Sequence, residues 1–272
     1  MSKRYLSQLV CLLLVLPLAG LSQQVQIPVR CGHASDSPIP ARPAPPRHTE
    51  AEAEQINQAG RDERSFLSID EPLNFGIVRY RIAEYSDCTG THGCYWSDLA
   101  SQTTRAQVEL KRLIATRKPG EKLAIVLDID ETSLSSYCEE RREAFGYNQS
   151  AFEAWIVSPE ASLPIPGTLE LYNQALAAGV SVFFLTGRVH EQTEATARNL
   201  QAAGYKDWQG LILRDESERT MDTTKYKDSE RKKIVAQGYR IILNMGDQWS
   251  DLNGEAKADI SVKLPNPFYF LP

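Results

Sequence analysis

The sequence lacks two features that would each have indicated a particular class of protein. It has no tract rich in lysine and arginine, and its formal net charge is −5, so a nucleic-acid polymer is not an expected partner. Its N-terminal apolar stretch, at about residues 9–18, is shorter than the roughly 18–20 residues that a membrane-spanning helix needs. An anionic substrate would have to be attracted by local positive charge, because the field of the whole protein repels it.

The composition is that of an ordinary globular protein. The chain has 272 residues, of which 42% are hydrophobic and 24% are charged. This is enough apolar material for one large domain with extensions.

The N-terminus has the pattern of a secretory signal peptide. Lys3 and Arg4 precede the apolar stretch, and the small residues Ala19 and Gly20 follow it, as expected of a segment that is cleaved during export. We therefore predict a signal peptide at 1–22, a periplasmic or extracellular protein, and no stable membrane span in the mature chain. The alternative is a membrane anchor. Cys11 is a poor site for a lipid because no small residues precede it.

The cysteines agree with an oxidising compartment. Removal of the signal peptide leaves an even number of them, which favours disulfides. Cys88 and Cys94 flank a turn-rich loop that a short disulfide could close. A zinc site formed by Cys88, His92 and Cys94 is the alternative, although their spacing fits none of the usual zinc patterns. Cys31 and Cys138 are then the remaining pair.

The chain divides into a linker and a large C-terminal domain. Residues 23–60 include a stretch rich in proline and alanine, which cannot bury enough apolar surface to become ordered, and we predict a flexible linker there. The polar residues 51–64 are compatible with a helix. The domain is expected at 61–272, with an N-terminal helical extension and a core from about residue 121.

Short apolar runs alternate with helical patterns through the core. Such runs are typical of buried strands in a parallel sheet, and their alternation with helices predicts a three-layer, Rossmann-like α/β fold. An aromatic-rich insert at about 133–166, after the first core strand, predicts a small cap. The expected strands lie at 123–127, 180–185, 210–214, 239–244 and 258–262, and the expected helices at 97–117, 168–178, 190–203 and 228–237.

Polar residues follow the expected strands, and right-handed crossovers would place all of these strand ends on one rim. Carboxylates gathered at a rim suit a hard divalent cation such as Mg²⁺. An EF-hand calcium loop is disfavoured because Ser133 occupies the sixth position after Asp128, where that motif needs glycine. In isolation, Asp130 could instead cap a helix. The expected rim residues are Asp128, Asp130, Thr186, Arg188, Asp247 and Asp251.

These groups suit phosphoryl transfer. Thr186, the backbone amides beside it and a nearby lysine could hold the non-bridging oxygens of a phosphate. A carboxylate could attack phosphorus and form an acyl phosphate. Phosphoryl transfer depends mainly on positioning and charge neutralisation, and this set of groups provides both.

Four motifs resemble those of one known family. Together they are similar to the motifs of the haloacid dehalogenase superfamily, and within it to those of the class B-like acid phosphatases, which include bacterial outer-membrane acid phosphatases and plant vegetative storage proteins. The resemblance covers roughly 66–272. The motifs are Leu-Asp-Ile-Asp-Glu-Thr at 127–132, Phe-Leu-Thr-Gly-Arg at 184–188, Tyr-Lys-x-x-x-Arg at 226–231 and Gly-Asp-Gln-Trp-Ser-Asp at 246–251.

The resemblance implies catalytic roles. Asp128 would be the nucleophile, and Asp130 the general acid that later serves as the general base. Lys227 matches the lysine of the third motif, which offsets charge between nucleophile and phosphate. Lys225, two residues away, is the alternative for that role.

The resemblance also implies binding roles. Thr186, with Gly187 and Arg188 beside it, would bind the transferring phosphoryl group. Mg²⁺ would be held by Asp128, by Asp130 through its backbone carbonyl, and by Asp247. Asp251 would be a second ligand from that loop or a support for it.

The sequence therefore predicts a secreted, magnesium-dependent acid phosphatase that hydrolyses small phosphate monoesters through an aspartyl phosphate. An optimum below neutrality is what the family implies. The alternatives are a storage or binding protein with a vestigial site and a phosphotransferase. Near the site, Trp249 is expected to pack into the rim rather than to serve as a substrate platform. Trp155, Tyr137 and Phe152 in the insert could be pocket walls or core residues.

Overall fold

The computed structural model describes residues 31, 48–62 and 72–271. The predicted signal peptide at 1–22 and most of the predicted linker lie outside these ranges. Within them, no helix is both long and apolar enough to cross a membrane.

A five-stranded parallel sheet forms the centre of the fold. Its strand order is β3-β2-β1-β4-β5, and β1 pairs in parallel with β2 on one side and with β4 on the other. The strands are β1 (Lys122–Leu127), β2 (Ser181–Val189), β3 (Gly210–Arg214), β4 (Tyr239–Gly246) and β5 (Ile260–Lys263). The prediction of a parallel α/β sheet is confirmed.

Helices precede the sheet, form the insert and connect the strands. Short 3₁₀ helices also occur at His190–Gln192 and Glu216–Glu218. In the described part of the chain the α-helices are α1 (Glu50–Asp62), α2 (Phe75–Asp87), α3 (Tyr95–Ile114), α4 (Tyr137–Arg142), α5 (Gln149–Ile156), α6 (Pro166–Ala177), α7 (Thr193–Ala202), α8 (Thr223–Ala236) and α9 (Trp249–Leu252).

The two faces of the sheet are both covered. Alternate residues of a strand point to opposite faces, so Leu123, Ile125 and Leu127 of β1 join one apolar cluster with residues of α3 and α6. Ala124 and Val126 join a second cluster with residues of α8. Burial on both faces is the reason that β1 is apolar without alternation.

The last part of the predicted linker is helical. α1 begins at Glu50 and is described to Asp62, so the prediction that flexibility extends to residue 60 is wrong. The helix expected at 51–64 is observed over the part of that range that the structure describes. Thr49 Oγ1 accepts a hydrogen bond from the Glu52 amide, and the Glu52 carboxylate accepts one from the Thr49 amide. This reciprocal capping fixes the start of the helix, and Arg81 of α2 pairs with Glu50.

The insert between β1 and α6 carries two short helices, α4 and α5. Asn148 caps α5 by accepting a hydrogen bond from the Ala151 amide at 3.1 Å. Tyr137 and Trp155 are each 2% exposed, and Phe152 packs on Trp155 with ring centroids 5.5 Å apart. Of the two roles left open for these aromatic residues, the packing role is therefore the one observed.

Some element boundaries differ from those predicted. β2 continues to Val189 because the predicted end at Leu185 marks only the end of its apolar run. α8 begins at Thr223 rather than at 228, since the Asp222 carboxylate caps it by accepting from the Lys225 amide at 3.0 Å. That longer start brings Lys227 into the second turn of the helix.

Two disulfides are formed. Cys88 pairs with Cys94 and Cys31 with Cys138, so all four cysteines that follow the predicted signal peptide are bonded. The alternative of a zinc site is wrong, because both of its thiols are consumed by the first disulfide.

Candidate active site

A tight turn at the carboxyl end of β1 carries the first motif. The amides of Ser133 and Leu134 both donate to the Ile129 carbonyl at 2.8 Å. Glu131 has a φ of 55°, a left-handed conformation that is unfavourable for a residue with a Cβ. The turn reverses the chain within a few residues and presents Asp128 and Asp130 at the rim.

Asp128 forms a buried ion pair with Lys227. The Lys227 Nζ lies 2.6 Å from Asp128 Oδ1 and 2.9 Å from Asp251 Oδ1. It also donates to the Leu185 carbonyl at 2.5 Å, at the end of the apolar part of β2. Lys225 is exposed on the same helix, so Lys227 is the lysine that the fold brings to the first motif.

Three aspartates form a buried cluster. One carboxylate oxygen from each of Asp128, Asp247 and Asp251 lies within 4.8 Å of the others. The close approach of Asp251 depends on Gly246, since a Cβ at position 246 would lie 2.3 Å from the Cβ of Asp251. The carboxylate of Asp130 is not in this cluster, so any contribution from this residue to a cation is left to its backbone carbonyl.

Asp247 is held by donors from three parts of the chain. The Thr132 hydroxyl donates to its Oδ1 at 3.2 Å. The side-chain amides of Gln248 and Asn266 each donate to its Oδ2 at 2.7 Å. These contacts fix the orientation of a carboxylate that is 1% exposed.

The protein only partly balances the negative charge of the three carboxylates in this cluster. Burial, together with the charge of Asp251, raises the pKa of Asp128 well above its ordinary value, and Lys227 only partly offsets this. Burial and the charge of Asp251 also raise the pKa of Asp247 to about 7. Burial alone would lower the pKa of Lys227, but Asp128 and Asp251 outweigh it and the pKa is raised.

Three buried carboxylates with one ammonium favour a second cation, and their oxygens are the ligands that a hard divalent cation prefers. The residues present therefore fit a divalent metal ion.

Arg188 and Asp130 face each other at the neighbouring strand ends. Arg188 Nε lies 3.0 Å from Asp130 Oδ2, and Nη2 lies 2.7 Å from Oδ1. A third donor, Nη1, reaches the Thr196 hydroxyl at 3.1 Å. Thr186 is fully buried and its Oγ1 accepts from the Arg188 amide at 3.1 Å. Gly187 between them is exposed.

Glu131 and Tyr269 were not predicted as site residues. The Glu131 carboxylate accepts from the amide and hydroxyl of Ser136, at 2.6 and 2.8 Å, and from the Tyr269 hydroxyl at 3.3 Å. Burial and the charge of Asp130 raise the pKa of Glu131 to about 8. Tyr269 comes from the end of the chain, and its contact with Glu131 spans 138 positions. Glu131 lies within the first motif, so its position in the sequence could have indicated it. No feature of the neighbouring sequence indicated Tyr269.

The prediction for Trp249 is wrong. Its side chain is 59% exposed, because the buried side of the short helix α9 is occupied by Ser250, Asp251 and Leu252. The Lys263 ammonium lies 5.8 Å from the centroid of the Trp249 ring.

Comparison with known families identifies one that matches most of the chain. Residues 73–272 match the family described as HAD superfamily, subfamily IIIB (Acid phosphatase). HAD abbreviates haloacid dehalogenase, so the predicted resemblance is confirmed.

Curated relatives come from plants. "Acid phosphatase 1" of Solanum lycopersicum is 38% identical over 149 residues, which are 54% of this chain and 58% of that protein. A "Stem 31 kDa glycoprotein" of Glycine max is 35% identical over 150 residues, covering 54% and 59%. "Vegetative storage protein 1" of Arabidopsis thaliana is 33% identical over 150 residues, covering 54% and 55%. The chain thus spans less than two thirds of the length of these relatives.

A solved structure shares the fold. The class C acid phosphatase from Bacillus anthracis with tungstate bound superposes with a TM-score of 0.56 and 22% identity, covering 71% of this chain and 85% of that one. The predicted haloacid dehalogenase-like fold is confirmed.

Proposed function

The chain belongs to subfamily IIIB of the HAD superfamily, the acid phosphatases, and from that membership we propose that it hydrolyses small phosphate monoesters through an aspartyl phosphate on Asp128. The observation that carries the proposal is the buried contact between Asp128 and Lys227 beside Asp247 and Asp251. A carboxylate at the end of a central strand, with an ammonium 2.6 Å away and two further buried carboxylates that fit a divalent cation beside it, meets the requirements of a nucleophile that must approach an anionic phosphate.

The first half-reaction transfers the phosphoryl group to the protein. A carboxylate oxygen of Asp128 bonds to phosphorus while the bond between phosphorus and the ester oxygen breaks. Asp130 gives its proton to the leaving oxygen, so that an alcohol departs. Thr186, Gly187 and Arg188 bind the transferring oxygens, and Lys227 offsets negative charge on the attacking side.

The second half-reaction returns the protein to its starting state. Asp130, now a carboxylate, takes a proton from water, whose oxygen bonds to phosphorus as the bond to Asp128 breaks and inorganic phosphate leaves. A divalent cation, proposed as Mg²⁺ and held by Asp128, Asp247, Asp251 and the backbone carbonyl of Asp130, would neutralise charge on the phosphoryl oxygens.

Export is part of the proposal. Two disulfides join all four cysteines that follow the segment 1–22, which supports an oxidising compartment such as the periplasm or the extracellular space. The segment 1–22 supports a signal peptide by its sequence.

A storage function is the second candidate, because vegetative storage proteins are among the relatives. The intact carboxylates at 128 and 130, with their partners Lys227 and Arg188 in contact, favour the enzyme. A phosphotransferase would use the same first half-reaction and replace water by an alcohol acceptor.

The experiment is phosphate release from p-nitrophenyl phosphate by the purified protein at pH 4 to 8, with magnesium or with a chelator. Asp128→Asn is compared with Asp207→Asn, a matched change at an exposed carboxylate before β3. Loss of turnover in Asp128→Asn alone supports the proposal, and absence of turnover in the folded wild type favours storage. Activity that survives in Asp128→Asn contradicts the assignment of the nucleophile. Added glycerol that yields a new phosphate ester identifies a phosphotransferase.

A further inference from the structure

The chain after β5 returns across the rim of the sheet. The Leu264 amide donates to the Gly246 carbonyl at 2.9 Å, and the residues that follow contact loops that belong to other strands. We call residues 264–271 the C-terminal segment. None of its residues belongs to the four motifs, yet it supplies a side chain to the aspartate cluster.

Asn266 of the C-terminal segment contacts Asp247 in a defined orientation. Its Oδ1 accepts hydrogen bonds from the backbone amides of Phe268 and Tyr269, at 2.8 and 3.4 Å. Backbone amides only donate, so these contacts fix which side-chain atom of Asn266 is the oxygen. The Nδ2 must then be the donor to Asp247 Oδ2 at 2.7 Å.

The contact restricts Asp247 on one oxygen. Two amide donors, from Gln248 and Asn266, share Oδ2 at 2.7 Å, whereas Oδ1 has a longer contact of 3.2 Å with the Thr132 hydroxyl. Two short hydrogen bonds to one oxygen fix the plane of the Asp247 carboxylate. The remaining lone pairs of the carboxylate then point toward other partners.

The C-terminal segment is anchored before Asn266 by the Leu264 amide and after it by the contacts that follow. The Phe268 ring packs on Tyr95, with centroids 5.1 Å apart, and on Phe145, with centroids 6.0 Å apart. The Gln248 side chain donates to the Tyr269 carbonyl at 3.4 Å and accepts from the Leu271 amide at 3.1 Å. Asn266 is therefore held in place independently of its contact with Asp247.

We propose that Asn266 is a positioning residue that sets the orientation of Asp247 and thereby the affinity of the site for a divalent cation. This inference rests on the cation site of the proposed function. Groups that orient metal ligands typically change metal affinity or activity about 10- to 100-fold when they are removed.

The test measures Mg²⁺ binding directly, by titration calorimetry on the purified protein. In Asn266→Ser the short hydroxyl can still accept from the Phe268 amide but cannot reach Asp247. We expect the Kd for Mg²⁺ to rise about tenfold, and the Mg²⁺ concentration for half-maximal turnover to rise in parallel while kcat at saturating Mg²⁺ stays close to that of the wild type. Phe270→Ala, a change at a side chain that is 74% exposed in the same segment, is the control and should bind as the wild type does.

A Kd within twofold of the wild type in folded Asn266→Ser overturns the inference. Circular dichroism and the Tm in chelator establish that the variant is folded. If it is not, Asn266→Gln, which keeps an amide but displaces it by one methylene, is judged by the same criterion. Wild type that binds Mg²⁺ without turnover would contradict the proposed function and leave the inference standing. Turnover by the wild type, together with unchanged Mg²⁺ binding in the variant, would support the proposed function and overturn the inference.

Discussion

The guanidinium group of Arg188 binds both carboxylate oxygens of Asp130, with contacts of 3.0 and 2.7 Å. Such a two-point contact fixes direction as well as distance. Burial alone would lower the pKa of Arg188, but the charge of Asp130 outweighs it and the pKa is raised. In the proposed reaction, Arg188 therefore has two roles. It orients the acid, Asp130, and from its position beside Thr186 it binds the phosphoryl group.

Replacing Arg188 by lysine should impair both the orientation of Asp130 and the binding of the phosphoryl group. Arg188→Lys keeps the charge but loses the planar fork, and a charged hydrogen bond contributes about 1.5–3 kcal/mol, so kcat/KM should fall about 10- to 100-fold. Steady-state kinetics on p-nitrophenyl phosphate measure the loss. Arg198→Lys, at an exposed position on α7 with a side chain 65% exposed, is the control. Equal kinetics in Arg188→Lys and the wild type would show that the bidentate contact has no role in turnover.

Replacing Lys227 by methionine should reduce turnover by about a hundredfold or more, since its ammonium contacts both Asp128 and Asp251. Removing one partner of a buried ion pair leaves uncompensated charge, so the variant should also lose about 3–5 kcal/mol of stability in chelator. Lys225→Met, two residues away and exposed, is the matched control. If Lys225→Met is the inactive variant, the assignment of the third motif is reversed.

Divalent metal should stabilise the folded protein. Binding to the Asp128, Asp247 and Asp251 cluster adds about 2.7 kcal/mol at a concentration 100 times the Kd, which thermal unfolding detects as a rise in Tm. Asp247→Asn should abolish most of that rise, and Asp207→Asn should retain it. Sodium chloride at matched ionic strength controls for screening. A rise of equal size in Asp247→Asn would place the bound cation elsewhere.

Stability should fall as pH rises above about 5, in part because of Glu140 on α4. Burial and the charges of Glu139 and Glu143 raise its pKa to about 8 from an ordinary value of 4.5. Between these values the folded state holds a proton that the unfolded state has released, so the free energy of unfolding decreases as pH rises. Glu131, which interacts with Glu140, adds to the same trend.

Glu140→Gln should therefore show a smaller drop in Tm between pH 5 and pH 8 than the wild type, and a higher Tm than the wild type at pH 8. Glu153→Gln, at an exposed position on α5, should behave as the wild type. A Tm that rises with pH equally in wild type and Glu140→Gln would refute this account of the insert.

The elements that the sequence predicted correctly are those with local signals. β1 and β3 follow from uninterrupted apolar runs, and both faces of the sheet are covered as that pattern requires. The placement of Asp128, Thr186 and Asp247 at one rim follows from the parallel topology. One error concerns a local signal, since the Asp222 cap starts α8 ahead of the predicted residue. Others are tertiary: β2 extends beyond its apolar run, and Trp249 is left exposed because the other residues of α9 occupy its buried side.

The sequence by itself determined the fold class, the family and the rim on which the candidate site lies, because apolar periodicity and short motifs are encoded within a few neighbouring residues. Only the tertiary structure decided which side chains meet. Lys227 reaches Asp128 across 99 positions, Arg188 reaches Asp130 across 58, and Tyr269 reaches Glu131 across 138. Such contacts depend on how helices and the C-terminal segment pack on the sheet, to within the reach of a hydrogen bond, and no local pattern records that distance.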